Sequence, residues 1–392
     1  MKSFSILAKN PENLPDLKPC IHGGEIWDIH KKTPYKGKII DFSSNINPIG
    51  PSKKALQAVR RCIREIPYYP DSNSTALRDA IAKHFKIISK ENVIAGNGST
   101  ELIYLFAEAF LNKGDVAIIP IPTFSEYARA VRKTGASIKY IKPGNQLRLD
   151  VTAFKRALPK AKVAFLCNPN NPTGALIRQQ NLISILERAI EEDCIVFLDE
   201  DFIEFVEDEK ELSMINQIRK FPNLFILRSF TKIFALTGLR VGYGVSSEEI
   251  VNTLLYFKIP WNVNCIAQTA AIEALADAEH IEITRQLVKT ERVFLTNALR
   301  QIKGFTVFPS ATNFILVDIH GSGFTAAHLK KKMLQYNILI RDCSSFTGLN
   351  DYYIRVAIKT HRENEMLVET FRKILLHGSN TKQPNASQII PL

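Results

Sequence analysis

The sequence predicts an α/β fold, in which a large part with a mostly parallel central sheet covered by helices is followed by a smaller α+β part. Short runs rich in β-branched and aliphatic residues alternate with longer helical patterns through the first two thirds of the chain. Several of these runs are apolar throughout, which is typical of parallel strands covered on both faces. At 392 residues the chain is long enough for two domains with sizeable cores.

The individual elements follow from the same patterns. Strands are predicted at, among others, residues 92–95, 116–120, 137–141, 163–167, 195–198, 224–227 and 240–245. Helices are predicted at 100–111, 126–134, 182–192, 265–276 and 284–301, and four short strands follow at 306–308, 313–317, 338–341 and 353–357. The predicted division is an N-terminal arm at 1–45 joining the small domain, a large domain at 46–275, a small domain at 276–376 and a disordered tail at 377–392.

Composition excludes several classes of protein. No apolar run reaches the roughly 18 to 20 residues that span a bilayer, and the N-terminus lacks a secretory pattern, so a cytoplasmic protein is expected. The six cysteines include no C-x-x-C pair, which argues against a zinc site or a disulfide framework. The net charge of +12 is spread along the chain, and the lysines at 330–332 lie in an amphipathic helical pattern. Neither a nucleic-acid nor a membrane partner is therefore expected, and the charge weakly favours phosphorylated ligands.

The main candidate for a catalytic residue is Lys232, which follows Ser229-Phe230-Thr231 directly after a predicted strand. Arg240 stands eight residues further on. A lysine amine can form a Schiff base, while Ser229 and Arg240 can hold a phosphate by charge-assisted hydrogen bonds. On its own the motif carries little weight, because a lysine near a strand end is usually exposed to solvent.

Two other strand ends carry polar side chains that suit a bound aromatic ring. Asp199 closes the apolar run 194–198, and ligands of open α/β sheets bind at the carboxyl ends of the strands. A buried carboxylate is costly unless it is paired, and a protonated pyridine nitrogen would be such a partner. Asn171 lies in the irregular turn 168–174, where its amide can point at a ring hydroxyl. The alternatives are a helix cap or ion pair for Asp199 and a plain turn for Asn171.

The remaining candidates follow two further strands. Gly98, Ser99 and Thr100 precede a predicted helix, whose free N–H groups can bind an anion, although a simple N-cap explains them equally well. Phe124 can stack on a flat ring or belong to the core. The joint occurrence of all these residues at successive strand ends is much less probable by chance than any one of them.

With these motifs in place, the chain resembles fold-type I pyridoxal 5′-phosphate (PLP) enzymes of the aspartate aminotransferase superfamily over residues 20–375. Within the superfamily it resembles the histidinol-phosphate aminotransferase branch and, more closely, the L-threonine-O-3-phosphate decarboxylases of cobalamin biosynthesis. The strings that carry this closer likeness are HGG at 22–24, DFSSNINP at 41–48, YPD at 69–71, LDEDFIEF at 198–205, PWNVN at 260–264, IRDC at 340–343 and YIRVAI at 353–358.

The resemblance implies a role for each candidate residue. Lys232 would bind PLP covalently, and Asp199 would pair with its pyridinium nitrogen. Asn171 would bond the ring hydroxyl and contact the substrate, and Phe124 would stack on the ring. The groups implied for the PLP phosphate are Gly98, Ser99, Thr100, Ser229, Arg240 and, from the neighbouring subunit of a homodimer, Tyr69. The groups implied for the anions of a small phosphorylated amino acid are Arg355, Arg341 and His22.

Two departures from the aminotransferase pattern bear on the reaction. Three residues after Asp199 aminotransferases usually carry a tyrosine that also bonds the ring hydroxyl, whereas this chain has Phe202, as in the decarboxylase branch. Asp201 replaces the small residue usual at its position. The resemblance implies decarboxylation of threonine phosphate, and two alternatives stay open: a histidinol-phosphate-type aminotransferase and a serine-phosphate decarboxylase. A PLP-binding transcriptional regulator is disfavoured, because the residues before 20 leave no room for a DNA-binding module.

Overall fold

The computed structural model describes residues 19–32, 38–86 and 89–378 of the chain. Its strands, in chain order, are β1 (Ile40–Asp41), β2 (Val93–Gly96), β3 (Val116–Pro120), β4 (Ser137–Ile141), β5 (Val163–Cys167), β6 (Ile195–Asp199), β7 (Leu224–Ser229), β8 (Gly242–Val245), β9 (Thr306–Val307), β10 (Phe314–Asp318), β11 (Ile338–Leu339), β12 (Arg341–Asp342) and β13 (Tyr353–Ala357).

The α-helices are α1 (Ile26–Lys32), α2 (Lys53–Cys62), α3 (Thr75–Phe85), α4 (Ser99–Phe110), α5 (Glu126–Thr134), α6 (Val151–Ala157), α7 (Gln179–Glu191), α8 (Glu209–Leu212), α9 (Glu248–Phe257), α10 (Cys265–Leu275), α11 (Ala278–Arg300), α12 (Ala326–Leu334) and α13 (His361–Gly378). Among the described residues, no helix is long and apolar enough to cross a membrane.

Strands β2 to β8 form one seven-stranded sheet in the order β2-β8-β7-β6-β5-β3-β4. Strand β8 is antiparallel to both of its neighbours, and every other pair in the sheet is parallel. This confirms the predicted α/β fold with a mostly parallel central sheet. All seven strands correspond to the predicted runs, although the last begins at Gly242 instead of residue 240, since Arg240 adopts a left-handed backbone conformation with φ of +56°.

The sheet is covered on both faces. In β5 every residue is buried, and alternate residues belong to two different apolar clusters: Val163, Phe165 and Cys167 to one, Ala164 and Leu166 to the other. This alternation is the period of two that a strand imposes on its side chains. Burial on both faces explains why these strands read as continuous apolar runs.

A second, antiparallel sheet lies C-terminal to the first, in the order β12-β13-β10-β9. Strand β1 pairs in parallel with β11, so the chain near residue 40 lies against this C-terminal part. The pairing supports the predicted N-terminal arm, while the division into domains stays a prediction. Helix α13 extends to Gly378, two residues into the predicted tail; the remainder of that tail (379–392) and the start of the arm (1–18) lie outside the described residues.

The topology brings the candidate motifs together. Strand β2 is antiparallel to β8, which is antiparallel to β7, so β2 runs in the same direction as the parallel strands. The carboxyl ends of β2, β3, β5, β6 and β7 therefore meet at one edge of the sheet. This is the edge at which open α/β sheets bind their ligands.

Candidate active site

Two adjoining cavities open at this edge of the sheet. The inner cavity is lined by Ser99, Thr100, Phe124, Tyr127, Cys167, Asn171, Asp199, Asp201, Phe202, Thr231, Lys232, Thr237 and Arg240. The outer cavity shares several of these residues and adds groups from the N-terminal and C-terminal parts of the chain, among them His22, Ser43, Arg341, Phe346 and Arg355. Lys232 lines both cavities, so its amine lies where a ligand in the inner cavity would meet a ligand in the outer cavity.

Lys232 occupies the turn that follows β7, and distant segments fix this turn. Its carbonyl oxygen accepts a hydrogen bond from the Asn47 backbone N–H at 3.1 Å. The Asn47 side chain in turn donates to the carbonyl oxygen of Ile233 at 2.7 Å. The lysine Nζ lies 3.6 Å from Asp201 Oδ2 and 5.5 Å from the centre of the Phe202 ring. About a quarter of the side chain is exposed, so the amine is positioned and still accessible.

Asp199, at the end of β6, is buried and held from two sides. The Tyr127 hydroxyl donates to Oδ2 at 2.5 Å, and the Asp201 backbone N–H donates to Oδ1 at 2.9 Å. Burial and the nearby Asp201 carboxylate raise the pKa of Asp199 to about 7. A cationic partner would stabilise the ionised form of this buried carboxyl group. Tyr127 is a site residue that the sequence analysis missed, although its place in the first turn of α5, three residues after Phe124, was a usable signal.

The start of α4 and the Arg240 guanidinium form an anion-binding corner. Gly98 precedes the helix with φ of +84°, and no side chain caps its first turn. A Cβ at Gly98 would lie 2.2 Å from Arg240 Nη2, so only glycine lets the guanidinium approach the helix N-terminus. Uncapped N–H groups and a cation at one point suit a phosphate. Ser99 and Thr100 line the cavity here, and their contact with a phosphate stays a prediction.

Ser229 lies behind this corner and not on its surface. It is fully buried, and its hydroxyl pairs with that of Thr231 at 2.8 Å. Thr231 is the residue that lines the inner cavity. Thr237 lines it as well, and its carbonyl oxygen accepts a hydrogen bond from Arg240 at 3.2 Å. From the sequence, Thr231 was named only as part of the motif before Lys232, and Thr237 was not named.

Arg355 and Asn171 meet between the two cavities. Arg355 Nη1 donates to Asn171 Oδ1 at 2.5 Å, and Nη2 donates to the carbonyl oxygen of Ser43 at 2.9 Å. The Asn171 oxygen is thereby used, which leaves its amide N–H groups as the donors available to a ligand. Arg355 Nε is buried without a hydrogen-bond partner in the described part of the chain. Burial lowers the pKa of Arg355 to about 10, and the guanidinium is still protonated at neutral pH.

Arg341 and His22 also line the outer cavity. Arg341 pairs in register with Arg355 across β12 and β13, and its Nη2 donates to the carbonyl oxygen of Ile21 at 2.6 Å. His22 Nε2 lies 2.7 Å from Glu126 Oε1. Burial opposes ionisation of Glu126, but hydrogen bonds from His22, Tyr104 and Cys20 lower its pKa to about 2. Glu126 is therefore a fixed negative charge behind His22, and the sequence analysis did not foresee it.

Tyr69 lies away from both cavities of this chain. It is 81% exposed, and its ring centre is 4.8 Å from that of Trp261. The role predicted for it needs a second chain and stays a prediction.

Comparison with known proteins gives matches over most of the chain. Residues 37–371 match the family described as aminotransferase class I and II. A histidinol-phosphate aminotransferase of Methanosphaera stadtmanae is 36% identical over 340 residues, which is 86% of this chain and 90% of that protein. A protein of Caldanaerobacter subterraneus subsp. tengcongensis, provisionally named threonine-phosphate decarboxylase, is 37% identical over 364 residues, which is 92% of this chain and 96% of that protein.

The fold is also that of a solved structure. Histidinol-phosphate aminotransferase of Sinorhizobium meliloti, determined in complex with pyridoxal 5′-phosphate, superposes with a TM-score of 0.82 at 22% identity. The match covers 95% of this chain and 100% of that one. The predicted class of fold is thereby confirmed.

Proposed function

Because the chain belongs to the class I and II aminotransferase family, an enzyme family with PLP as its cofactor, we propose that it decarboxylates L-threonine O-3-phosphate to (R)-1-amino-2-propanol O-2-phosphate. The product would serve cobalamin biosynthesis. The observation that carries the proposal is the outer cavity, in which two buried arginines, Arg341 and Arg355, stand side by side next to Lys232. A substrate with both a carboxylate and a phosphate matches two such cations.

The inner cavity fits PLP. Asp199 has a raised pKa and accepts hydrogen bonds from neutral donors, so a pyridinium N–H would complement its charge. The corner of α4 and Arg240 suits the phosphate, and the Asn171 amide can donate to the ring hydroxyl. Phe124 lines the cavity and is available to stack on the ring. Lys232 supplies the amine that would hold the cofactor.

Within this site the protein's own residues decide which substrate bond breaks. Bound PLP supplies an electron sink for the bond of Cα that stands perpendicular to its ring. Arg355 would bind one substrate anion, and Arg341 with His22 would bind the phosphate, which orients the substrate. Phe202 offers no hydroxyl near Lys232, unlike the tyrosine usual in aminotransferases. Lys232 Nζ is the group placed to move a proton at Cα.

A histidinol-phosphate-type aminotransferase is the second candidate, favoured by the number of similar proteins that carry this name. Its phosphorylated substrate would also use the basic outer cavity. Serine phosphate is a further candidate for the decarboxylase, because one methyl group changes the free energy of binding in a pocket by only about 1–3 kcal/mol.

We also propose that the enzyme is a homodimer. A tyrosine that is 81% exposed and packed on a half-exposed Trp261 suits burial against another protein. In a dimer Tyr69 would reach the PLP phosphate of its partner's site. The cytoplasmic location inferred from the sequence is part of the same proposal.

The decisive experiment incubates PLP-loaded protein with L-threonine O-3-phosphate in the absence of any keto acid. We expect sustained release of CO₂, lost in Lys232→Ala. Serine phosphate in parallel defines the substrate. If CO₂ is not released, and amino donors instead convert the cofactor to pyridoxamine phosphate, the decarboxylase proposal fails and the aminotransferase candidate stands.

A further inference from the structure

Asp201 places a second carboxylate in the inner cavity, next to the lysine. Its Oδ2 lies 3.6 Å from Lys232 Nζ, and its backbone N–H is tied to Asp199 Oδ1. The residue is only 7% exposed. Its other oxygen, Oδ1, is buried without a hydrogen-bond partner in residues 19–32, 38–86 and 89–378. A buried, half-satisfied carboxylate costs folding free energy, and the structure offers no packing reason for it.

The charges around Lys232 single out Asp201 as its partner. The other titratable groups of the inner cavity are Tyr127, Cys167, Asp199 and Arg240. Burial raises the pKa of both Tyr127 and Cys167, so these two stay neutral. Arg341 and Arg355 of the outer cavity would be matched by substrate anions, and Asp199 by the cofactor. Behind the cavity, the buried carboxyl of Glu204 responds to Asp201 and has a pKa raised to about 8, with burial as the main cause.

Resting on the function proposed above, we propose that Asp201 is a positioning residue that keeps a proton on Lys232 Nζ, so that the lysine acts as an acid towards Cα and not as a base. An anion 3.6 Å from an amine stabilises the ammonium form. Decarboxylation requires a proton donor at Cα, whereas transamination requires a base that removes the Cα proton. The Asp201 carboxylate would thus favour decarboxylation over transamination at this site.

The proton and electron balance is complete without a further reactant. The substrate amine enters as an ammonium ion, and its extra proton passes to Nζ when Lys232 is displaced. The bond between Cα and the carboxylate carbon breaks, CO₂ leaves, and the electron pair stays on the substrate. Nζ gives its proton to Cα, which forms the new C–H bond. The neutral amine of Lys232 can then displace the product amine.

The test compares the variants Asp201→Asn and Asp201→Ala with the wild type, all loaded with PLP and free of substrate. The visible absorption of the lysine-bound cofactor is titrated against pH, which reports protonation at Nζ. We expect the midpoint to fall by about one pH unit or more in both variants, the effect of losing an anion at this distance. The matched control is Asp79→Asn, which removes a carboxylate that pairs with Lys83 on the surface of α3, and its midpoint should not move.

A second measurement links the charge to the reaction. With threonine phosphate, we expect both Asp201 variants to form more pyridoxamine phosphate and to release less CO₂ and amine product. The ratio of pyridoxamine phosphate to CO₂ should be at least tenfold higher than in wild type. Unchanged titration midpoints in both variants would overturn the role of Asp201. If wild type releases no CO₂ from any phosphorylated amino acid, the proposed function fails instead, and the titration still decides whether Asp201 controls the proton of Lys232.

Discussion

Arg355 donates a 2.5 Å hydrogen bond to Asn171, so the residue expected to bind the substrate anion is tied directly to the residue expected to bond the cofactor ring. Asn171 comes from the turn after β5 in the central sheet, and Arg355 from β13 in the C-terminal sheet. One hydrogen bond therefore couples the two parts of the site, which lie 184 residues apart in the chain.

The first prediction concerns this bond. In Asn171→Ala, Arg355 loses one of its two acceptors, and the ring loses a donor. We expect both the Kd for PLP and the KM for substrate to rise, each by about tenfold, since a hydrogen bond to a charged group contributes about 1.5–3 kcal/mol. Fluorescence titration and steady-state kinetics measure the two constants. Arg355→Lys is the matched control: it keeps the charge but cannot make both contacts, so KM should rise while the PLP Kd changes little.

The second prediction follows from the raised pKa of Asp199. A carboxyl whose pKa is about 7 when folded and 3.8 in its ordinary state binds more protons in the folded protein between these values. The contribution of Asp199 to stability is therefore fully present below pH 4 and is lost as pH rises through 7. Thermal unfolding of PLP-free protein between pH 4 and 8 measures it. As pH rises, the Tm of wild type should fall relative to that of Asp199→Asn. A difference in Tm that stays constant with pH would contradict the assignment.

Much of the site could be predicted because it is encoded locally. Each of Gly98, Asn171, Asp199 and Lys232 stands just after an apolar run, and parallel strands carry such positions to one edge. What could not be predicted depends on contacts between distant segments. Tyr127 meets Asp199 across 72 residues, and no local pattern specifies such a pairing.

The position of the Asp201 side chain could not be predicted from the sequence either. Its departure from the usual small residue is visible in the sequence, but its distance from Lys232 is not. A strand end fixes where the backbone goes, whereas the orientation of the next side chains depends on the turn that follows. The turn here is set by the hydrogen bond from the Asp201 N–H to Asp199.

The third prediction concerns Glu126 and His22. Glu126 is ionised and buried, and it accepts a hydrogen bond from His22. In Glu126→Gln the imidazole loses its anionic partner, so its affinity for a substrate phosphate should fall and KM should rise by about tenfold. His22→Ala should show a similar rise. If the two residues act as one unit, the double variant will be no worse than either single variant, whereas additive effects would show that Glu126 acts independently of His22.

The lowered pKa of Glu126 also predicts a pH dependence of stability. Its contribution is present above pH 4.5, the ordinary value, and is lost as pH falls towards 2. Acid titration of wild type and Glu126→Gln, followed by circular dichroism, measures it. The wild type should lose stability more steeply than the variant below pH 4.5. Parallel curves would exclude a lowered pKa for Glu126.

The last prediction tests the placement of the cofactor ring through Phe202. This side chain is 2% exposed, packs edge-on against Phe314, and has Lys232 Nζ 5.5 Å from its ring centre. Phe202→Tyr buries a hydroxyl, which costs about 1–3 kcal/mol when it has no partner. Bound PLP would supply that partner through its ring hydroxyl. The Tm of PLP-free Phe202→Tyr should therefore fall, and saturating PLP should raise the Tm of the variant by more than that of wild type.

The control for this variant separates the hydroxyl from the change in shape. Phe314→Tyr adds the same group to the other ring of the pair, which lines neither cavity, so PLP should not restore its stability. Rescue by PLP in Phe202→Tyr alone places the ring hydroxyl beside residue 202. Equal loss in both variants, with and without PLP, would mean that the ring hydroxyl does not lie beside residue 202.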